Sequence, residues 1–230
     1  MRILNHINYS PLLINLFPKL EAYCIYINGI YGKADFKKII DDNINYAKEK
    51  IKQHESESSL PSIKKWREAY RKVNTDPTKY RNATESLLRR LRINGNLPEN
   101  LHPLVMLCNS FSVKYTIPIA ALDIDKITNS LEVRFSNGSE SYTTFNCEQI
   151  TLPANEVTFV DSNNIAHARR WSHKQNFNSV ITQQTKNALL IIESLIPFSI
   201  VNTDADIFDE IICTIKKEWP SASIEKVKIL

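Results

Sequence analysis

From Phe36 to Ile51 the apolar residues Phe36, Ile39, Ile40, Ile44, Ala47 and Ile51 recur three or four positions apart. At 3.6 residues per turn they share one face of an otherwise charged segment, which predicts an amphipathic helix. Two further stripes follow. Ile63, Trp66, Ala69, Tyr70 and Val73 form one and place Trp66 in the core; Ala83, Leu87, Leu88 and Leu91 form the other. LHPLVMLCNSF, from Leu101, is apolar almost all round and reads as a buried helix. Ile207, Phe208, Ile211, Ile212 and Ile215 predict a closing helix. Strand signals have a different period. EAYCIYIN (Glu21–Asn28) ends at a turn around Gly29 and Gly32, LEVRF alternates, EVTFV and IAHAR are short, and ALLIIES reads as a buried strand. Helices fall mostly early and strands mostly late, an α+β pattern. The polar connector QHESESSLPS ends near Pro61 and separates residues 1–60, a strand and helix expected to pack on the body, from 61–230. One structural domain is expected overall.

Composition narrows the function. With 43% hydrophobic and 23% charged residues the chain reads as an ordinary globular protein. Four glycines, and neither GxxxxGK[ST] nor GxGxxG, give a nucleotide-binding cradle no support, and no cofactor is expected. The N-terminal stretch is broken by Asn8, Pro11, Asn15 and Pro18, and no apolar run is long enough to span a bilayer, so the expected location is the cytoplasm. Cys24, Cys108, Cys147 and Cys213 are scattered without a CxxC pair and are expected as free thiols. A zinc set of Cys147, His167 and His173 matches no standard spacing, and no metal is expected.

Charge changes the picture more. Residues 62–92 carry ten Lys/Arg against three Asp/Glu, a local +7 in a chain of net +4, which leaves −3 for the rest. Such a segment suits an anionic partner such as RNA, with Arg89, Arg90 and Arg92 as candidate contacts; a solvated helix face is the plainer reading. A second unusual stretch is RRWSHKQ, from Arg169 to Gln175. Read as a strand end, it sends Arg169 and Trp171 one way and Arg170 and Ser172 the other. Trp supplies an apolar wall, Arg holds a phosphate or carboxylate, and Gln orients a carbonyl or water. His173 titrates near neutrality. The stretch is expected to line a pocket rather than form a solvated edge.

The succession WREAY, YRNATESLLRR, LHPLVMLCNSFS, PIAALDIDKI, NEVTFVD, RRWSHKQ and ITQQTKNALLIIES resembles the editing (B3/B4) domain of the phenylalanyl-tRNA synthetase beta subunit, and more closely its free-standing relatives. The resemblance runs from about Trp66 to Glu193. It implies a compact α+β fold, a mixed or antiparallel sheet with packed helices, and a pocket for an amino acid esterified to tRNA. The implied activity is editing in trans, hydrolysis of mischarged tRNA in the service of translation fidelity. DNA and membranes are not expected partners, and a monomer is expected. The family's Pro-x-His-Ala-x-Asp pattern reads PIAALD here, so Ala120 stands at the histidine position while Asp123 is kept. Arg170, Trp171, Lys174 and Gln175 match the family's Arg-Trp-x-x-Arg-Gln.

The resemblance and the residues together mark Gln175, Glu140 and His173 as catalytic candidates, and Asn109, Ser112, Asp123, Arg170 and Trp171 as substrate-binding candidates; Arg170, Trp171 and Gln175 are expected to converge with Asn109, Asp123 and Glu140 around one cavity. Each has a plainer alternative: Asn109 and Ser112 as a helix-to-loop tie, Asp123 as a cap, Glu140 as a solvated turn residue. An activated ester needs only a positioned water and a stabilised oxyanion. Ala120 favours the rival reading, a non-catalytic tRNA-, RNA- or amino-acid-binding module of the same fold. A small-molecule ester or amide hydrolase would leave the basic segment without a use.

Overall fold

The computed structural model describes residue 4, residues 6–201 and residues 206–230. Two sheets carry the architecture. The first has the order β1-β4-β7-β8-β9, formed by His6–Tyr9, Ser130–Phe135, Val157–Asp161, Ala166–Arg169 and Lys174–Gln175. The second has the order β11-β2-β10-β3, formed by Ser223–Lys228, Glu21–Asn28, Asn187–Ser194 and Ile119–Asp123. A small hairpin, β5 (Ser141–Thr143) with β6 (Gln149–Thr151), stands apart. All named strand pairs are antiparallel except β1 with β4.

The helices follow the stripes. They are α1 (Pro11–Leu16), α2 (Lys37–Lys52), α3 (Pro61–Lys72), α4 (Ala83–Asn94), α5 (Pro103–Tyr115), α6 (Phe198–Val201) and α7 (Ile207–Glu218). Their ends are chemically explicit. Pro61 and Pro103 open α3 and α5, where a missing N–H costs nothing. Asn82 caps α4 by accepting from the Glu85 N–H, and Gly95 closes it at φ 76°.

The central strands of the second sheet, β2 and β10, are buried on both faces, which is why β10 reads as an almost unbroken apolar run. Ile25, Ile27, Leu190 and Ile192 meet Leu107 and Phe111 of α5 and Ile211 and Ile215 of α7. Their neighbours Cys24, Leu189 and Ile191 face Val133 and Phe159 of the first sheet, together with Trp66 and Tyr70 of α3. Trp66 is fully buried, edge-on to Tyr70 and Trp171. Among the described residues no helix is long and apolar enough to cross a membrane.

Candidate functional site

Where the two sheets part, α5 and the N-terminus of α4 leave a cavity of about 150 Å3. Val105, Cys108 and Asn109 reach it from one face of α5, Pro118–Leu122 from the start of β3, Phe159 and Ala168 from the first sheet, and Glu193 from β10. The remaining wall is Trp171–Gln175. A hollow of about 610 Å3 between α2 and the loop after α4 is larger. Its polar lining residues, such as Lys37, Asp41, Asn96 and Glu99, are exposed, so it lacks the buried convergent polar groups of a binding site.

RRWSHKQ is not the alternating strand that its sequence suggests. β8 ends at Arg169, β9 begins at Lys174, and a turn joins them with Arg170 at φ 46° and Trp171 at φ 60°. The turn points Trp171 inward, its N–H bonded to the carbonyl of Val157 at 2.6 Å. The indole is fully buried against Phe17 and Trp66. Arg170 goes the other way. Its guanidinium lies 3.8 Å from the Tyr80 ring centroid and pairs with Glu156 at 3.1 Å, off the cavity.

Of the residues expected around one cavity, Asn109, Trp171 and Gln175 line it, and Asp123, Glu140 and Arg170 do not; of the other candidates His173 lines it and Ser112 does not. The reasons are local. Ser112 donates to the Ile117 carbonyl at 2.7 Å and lies 2.9 Å from the Thr84 hydroxyl, tying α5 to the following loop and to α4. Asp123 accepts from the Asp125 N–H and, at 2.7 Å, from the Thr185 hydroxyl, so it closes the turn after β3. Glu140 is fully buried and gathers the N–H groups of Asn137, Gly138 and Ser139 with Arg134. Burial pushes its carboxyl up, but those donors outweigh burial and hold it below the usual range.

The polar groups in the cavity have distinct states. His173 Nδ1 lies 2.6 Å from the Arg81 carbonyl, which accepts only, so Nδ1 carries the proton and Nε2 is left as the base. Burial holds the imidazole below the ordinary histidine range, and Lys174, Arg170 and Arg169 push the same way against the Arg81 carbonyl. Gln175 spends its amide nitrogen on the carbonyls of Ala121 and Ser179, at 2.9 and 3.1 Å, and keeps Oε1 as an acceptor. The Asn109 side chain, half-buried, has no hydrogen-bond partner among the described residues. Burial drives the Cys108 thiol up to about 12, which removes it as a nucleophile.

Glu193 is the residue that the sequence reading missed. It is buried, it accepts from Trp171 Nε1 and from the Tyr9 hydroxyl at 2.8 Å each, and burial pushes its carboxyl up to about 7 against those two bonds. The signal was present: an acid in register with Leu189 and Ile191 on the inward face of an apolar strand.

The basic segment is partly self-neutralised. Arg92 Nε meets buried Glu57 at 2.6 Å and Arg89 reaches the same carboxylate at 3.4 Å. Arg67 and Arg81 share Glu85. Lys64, Arg71, Lys79 and Arg90 are exposed and make no ion pair among the described residues. Arg90 lies seven residues from Ala83, near the azimuth of that cavity-lining residue on α4, about 10 Å along the axis.

The structure is thus an α+β domain with a small, largely apolar cleft that carries a buried acid. The B3/4 domain family matches residues 65–208, and the chain belongs to that family. Among solved structures it is similar to an N-terminal fragment of the phenylalanyl-tRNA synthetase beta-subunit from Pyrococcus horikoshii, with a TM-score of 0.50 and 9% identity. That likeness covers 97% of this chain and 53% of the fragment, and at this identity it is a likeness of fold. No curated protein sequence matches the chain.

Proposed function

We propose that the protein is a trans-acting aminoacyl-tRNA deacylase, which removes an amino acid wrongly esterified to tRNA. The observation that carries this is the cavity of about 150 Å3 with Glu193 in its wall beside His173, Asn109 and Gln175. Sites for drug-sized ligands run to about 300–1,000 Å3, so this one suits an aminoacyl group and leaves the nucleotide outside. Glu193 and Gln175 Oε1 offer acceptors to the α-ammonium. His173 Nε2 takes a proton from water as the water oxygen attacks the ester carbonyl carbon. The Asn109 amide donates to the oxygen on which negative charge develops. Collapse of the tetrahedral intermediate expels the ribose oxygen, which receives the proton from His173.

A second reading, a binding module without hydrolysis, draws on Ala120. It lines the cavity at the position where the resembling family carries histidine. A panel of mischarged tRNAs, each paired with its correctly charged counterpart, separates the two. A deacylase releases the amino acid from at least one mischarged species faster than from its matched control. A binding module retards such a species in a binding assay and leaves its ester intact.

A further inference from the structure

Tyr9 lies outside the residues matched to the B3/4 family, yet its hydroxyl bonds Glu193 in the cavity wall. β1 pairs with β4 from His6 against Ser130 to Tyr9 against Val133, which fixes the register that turns Tyr9 into the space between the sheets. There it meets Glu193, which the chain delivers 184 residues later. Tyr9 and Trp171 both donate to Oε1, and Oε2 takes no hydrogen bond among the described residues. Two donors converging on one oxygen fix the plane of the carboxyl and leave the other oxygen as the free acceptor in the cavity wall.

We propose that Tyr9 is a positioning residue for Glu193, so that the N-terminal strand completes the functional unit from outside the family-matched region. The role assigned to Glu193 rests on the deacylase reading; the coupling of Tyr9 to its ionisation does not. A buried tyrosine hydroxyl needs some partner, and a carbonyl would satisfy it. Here the partner is a carboxyl whose ionised form only donors can support. The other titratable groups near Glu193 are Cys24 of β2 and Tyr70 of α3, both raised by burial beyond the neutral range, as is Tyr9 itself. His173 and Lys174 line the same cavity, and His173 titrates below the ordinary histidine range. No cation pairs with Glu193 among the described residues.

Trp171 makes this measurable. Of the three indole N–H groups, that of Trp219 bonds the Lys33 carbonyl, that of Trp66 has no partner among the described residues, and that of Trp171 bonds the carboxyl itself. In the full chain, 15N-labelled at tryptophan, the Trp171 indole resonance is expected to shift with a midpoint near pH 7 and to lose that transition in Glu193→Gln. Tyr9→Phe keeps the ring in the core and removes one donor, so the midpoint should rise by about one pH unit. Unchanged Trp66 and Trp219 resonances report that the variant is folded. With a mischarged tRNA that the parent hydrolyses, Tyr9→Phe should lose about fivefold in rate at pH 7 and recover towards pH 8.5. A midpoint that stays put or falls overturns the proposal. If the parent hydrolyses none of the panel, the deacylase reading fails, while the titration still decides whether Tyr9 sets Glu193.

Discussion

The imidazole of His173 is locked to the Arg81 carbonyl, its Nδ1 2.6 Å from the oxygen, and this one contact decides which ring nitrogen is the base. The loop after α3 therefore holds the group that the proposed hydrolysis uses. His173 must be neutral to accept a proton, and burial places its titration below 6.5. Glu193 must be ionised to hold an ammonium, and it titrates near 7. Both conditions are met as pH rises. The kcat/KM for a mischarged tRNA should climb with pH, first as His173 loses its proton below the ordinary histidine range and then through about 7 as Glu193 ionises, and then level off. His173→Gln should lower it by about 10²–10⁴ and leave only the Glu193 limb of the profile. A flat profile in the parent contradicts both assignments.

Glu193 also predicts a trade between function and stability. Its folded-state pKa of about 7 stands above the ordinary 4.5. A group raised in this way binds its proton more tightly in the folded state, so its contribution is fully present below the unfolded value and is lost as pH rises through 7. Glutamine in its place still accepts from Tyr9 and Trp171 and never ionises. Glu193→Gln should therefore be more stable than the parent at pH 8, by up to about 3 kcal/mol, and gain little at pH 5. Urea unfolding at the two pH values measures the difference. Equal gains at both would mean that the carboxyl titrates no higher in the folded state than in the unfolded one.

The three arginines of RRLR should separate by role. Arg92 and Arg89 serve Glu57, whose side chain is only 4% exposed, while Arg90 is exposed and has no ion pair among the described residues. Arg90→Glu should weaken tRNA binding and lower the slope of log K against log salt by about 1–2, with no change in the unfolding midpoint. Arg92→Ala should lower that midpoint, because it leaves a buried carboxylate with a single distant partner. Binding titrations at several salt concentrations, beside thermal unfolding, test both. If Arg90→Glu binds tRNA as the parent does, α4 presents only a solvated face to the partner.

How far the sequence carries is clearest at particular residues. Trp66, Tyr70 and the stripes of α2, α4 and α7 were legible because a 3.6-residue period survives burial on one side. β2 was legible to the residue. β11 was not: SIEKVK is an edge strand with exposed charges, and only its pairing with β2 defines it. The turn at Arg170 and Trp171 was hidden because neither residue favours a positive φ, and the Val157 carbonyl and Glu156 impose it from another strand. Asp123 and Glu140 were plausible ligands by type. Nothing local says that the backbone of Asp125 and the hydroxyl of Thr185, or three successive N–H groups, have already claimed them.

Asn109 and Gln175 face the same cavity with different obligations, and the difference gives the last prediction. The Asn109 amide has no partner among the described residues, so its removal breaks no bond of the fold. Asn109→Ala should leave stability within about 0.5 kcal/mol and slow deacylation by about 10²-fold if the amide stabilises the oxyanion. Gln175 holds the carbonyls of Ala121 and Ser179, which anchors the β8–β9 hairpin to β3. Gln175→Ala should cost about 1–3 kcal/mol by leaving those carbonyls unpaired, and it slows the reaction as well. Gln175→Glu separates the two contributions. A glutamate keeps Oε1 as an acceptor for the substrate, but it gives the two carbonyls nothing and places charge beside Glu193. It should be the less stable of the two Gln175 variants at pH 8 and the more stable of them at pH 4, where it is protonated and donates to one carbonyl again. Single-turnover rates alongside unfolding curves decide the matter. An Asn109→Ala enzyme that loses stability but no rate would move Asn109 out of the site and into the fold.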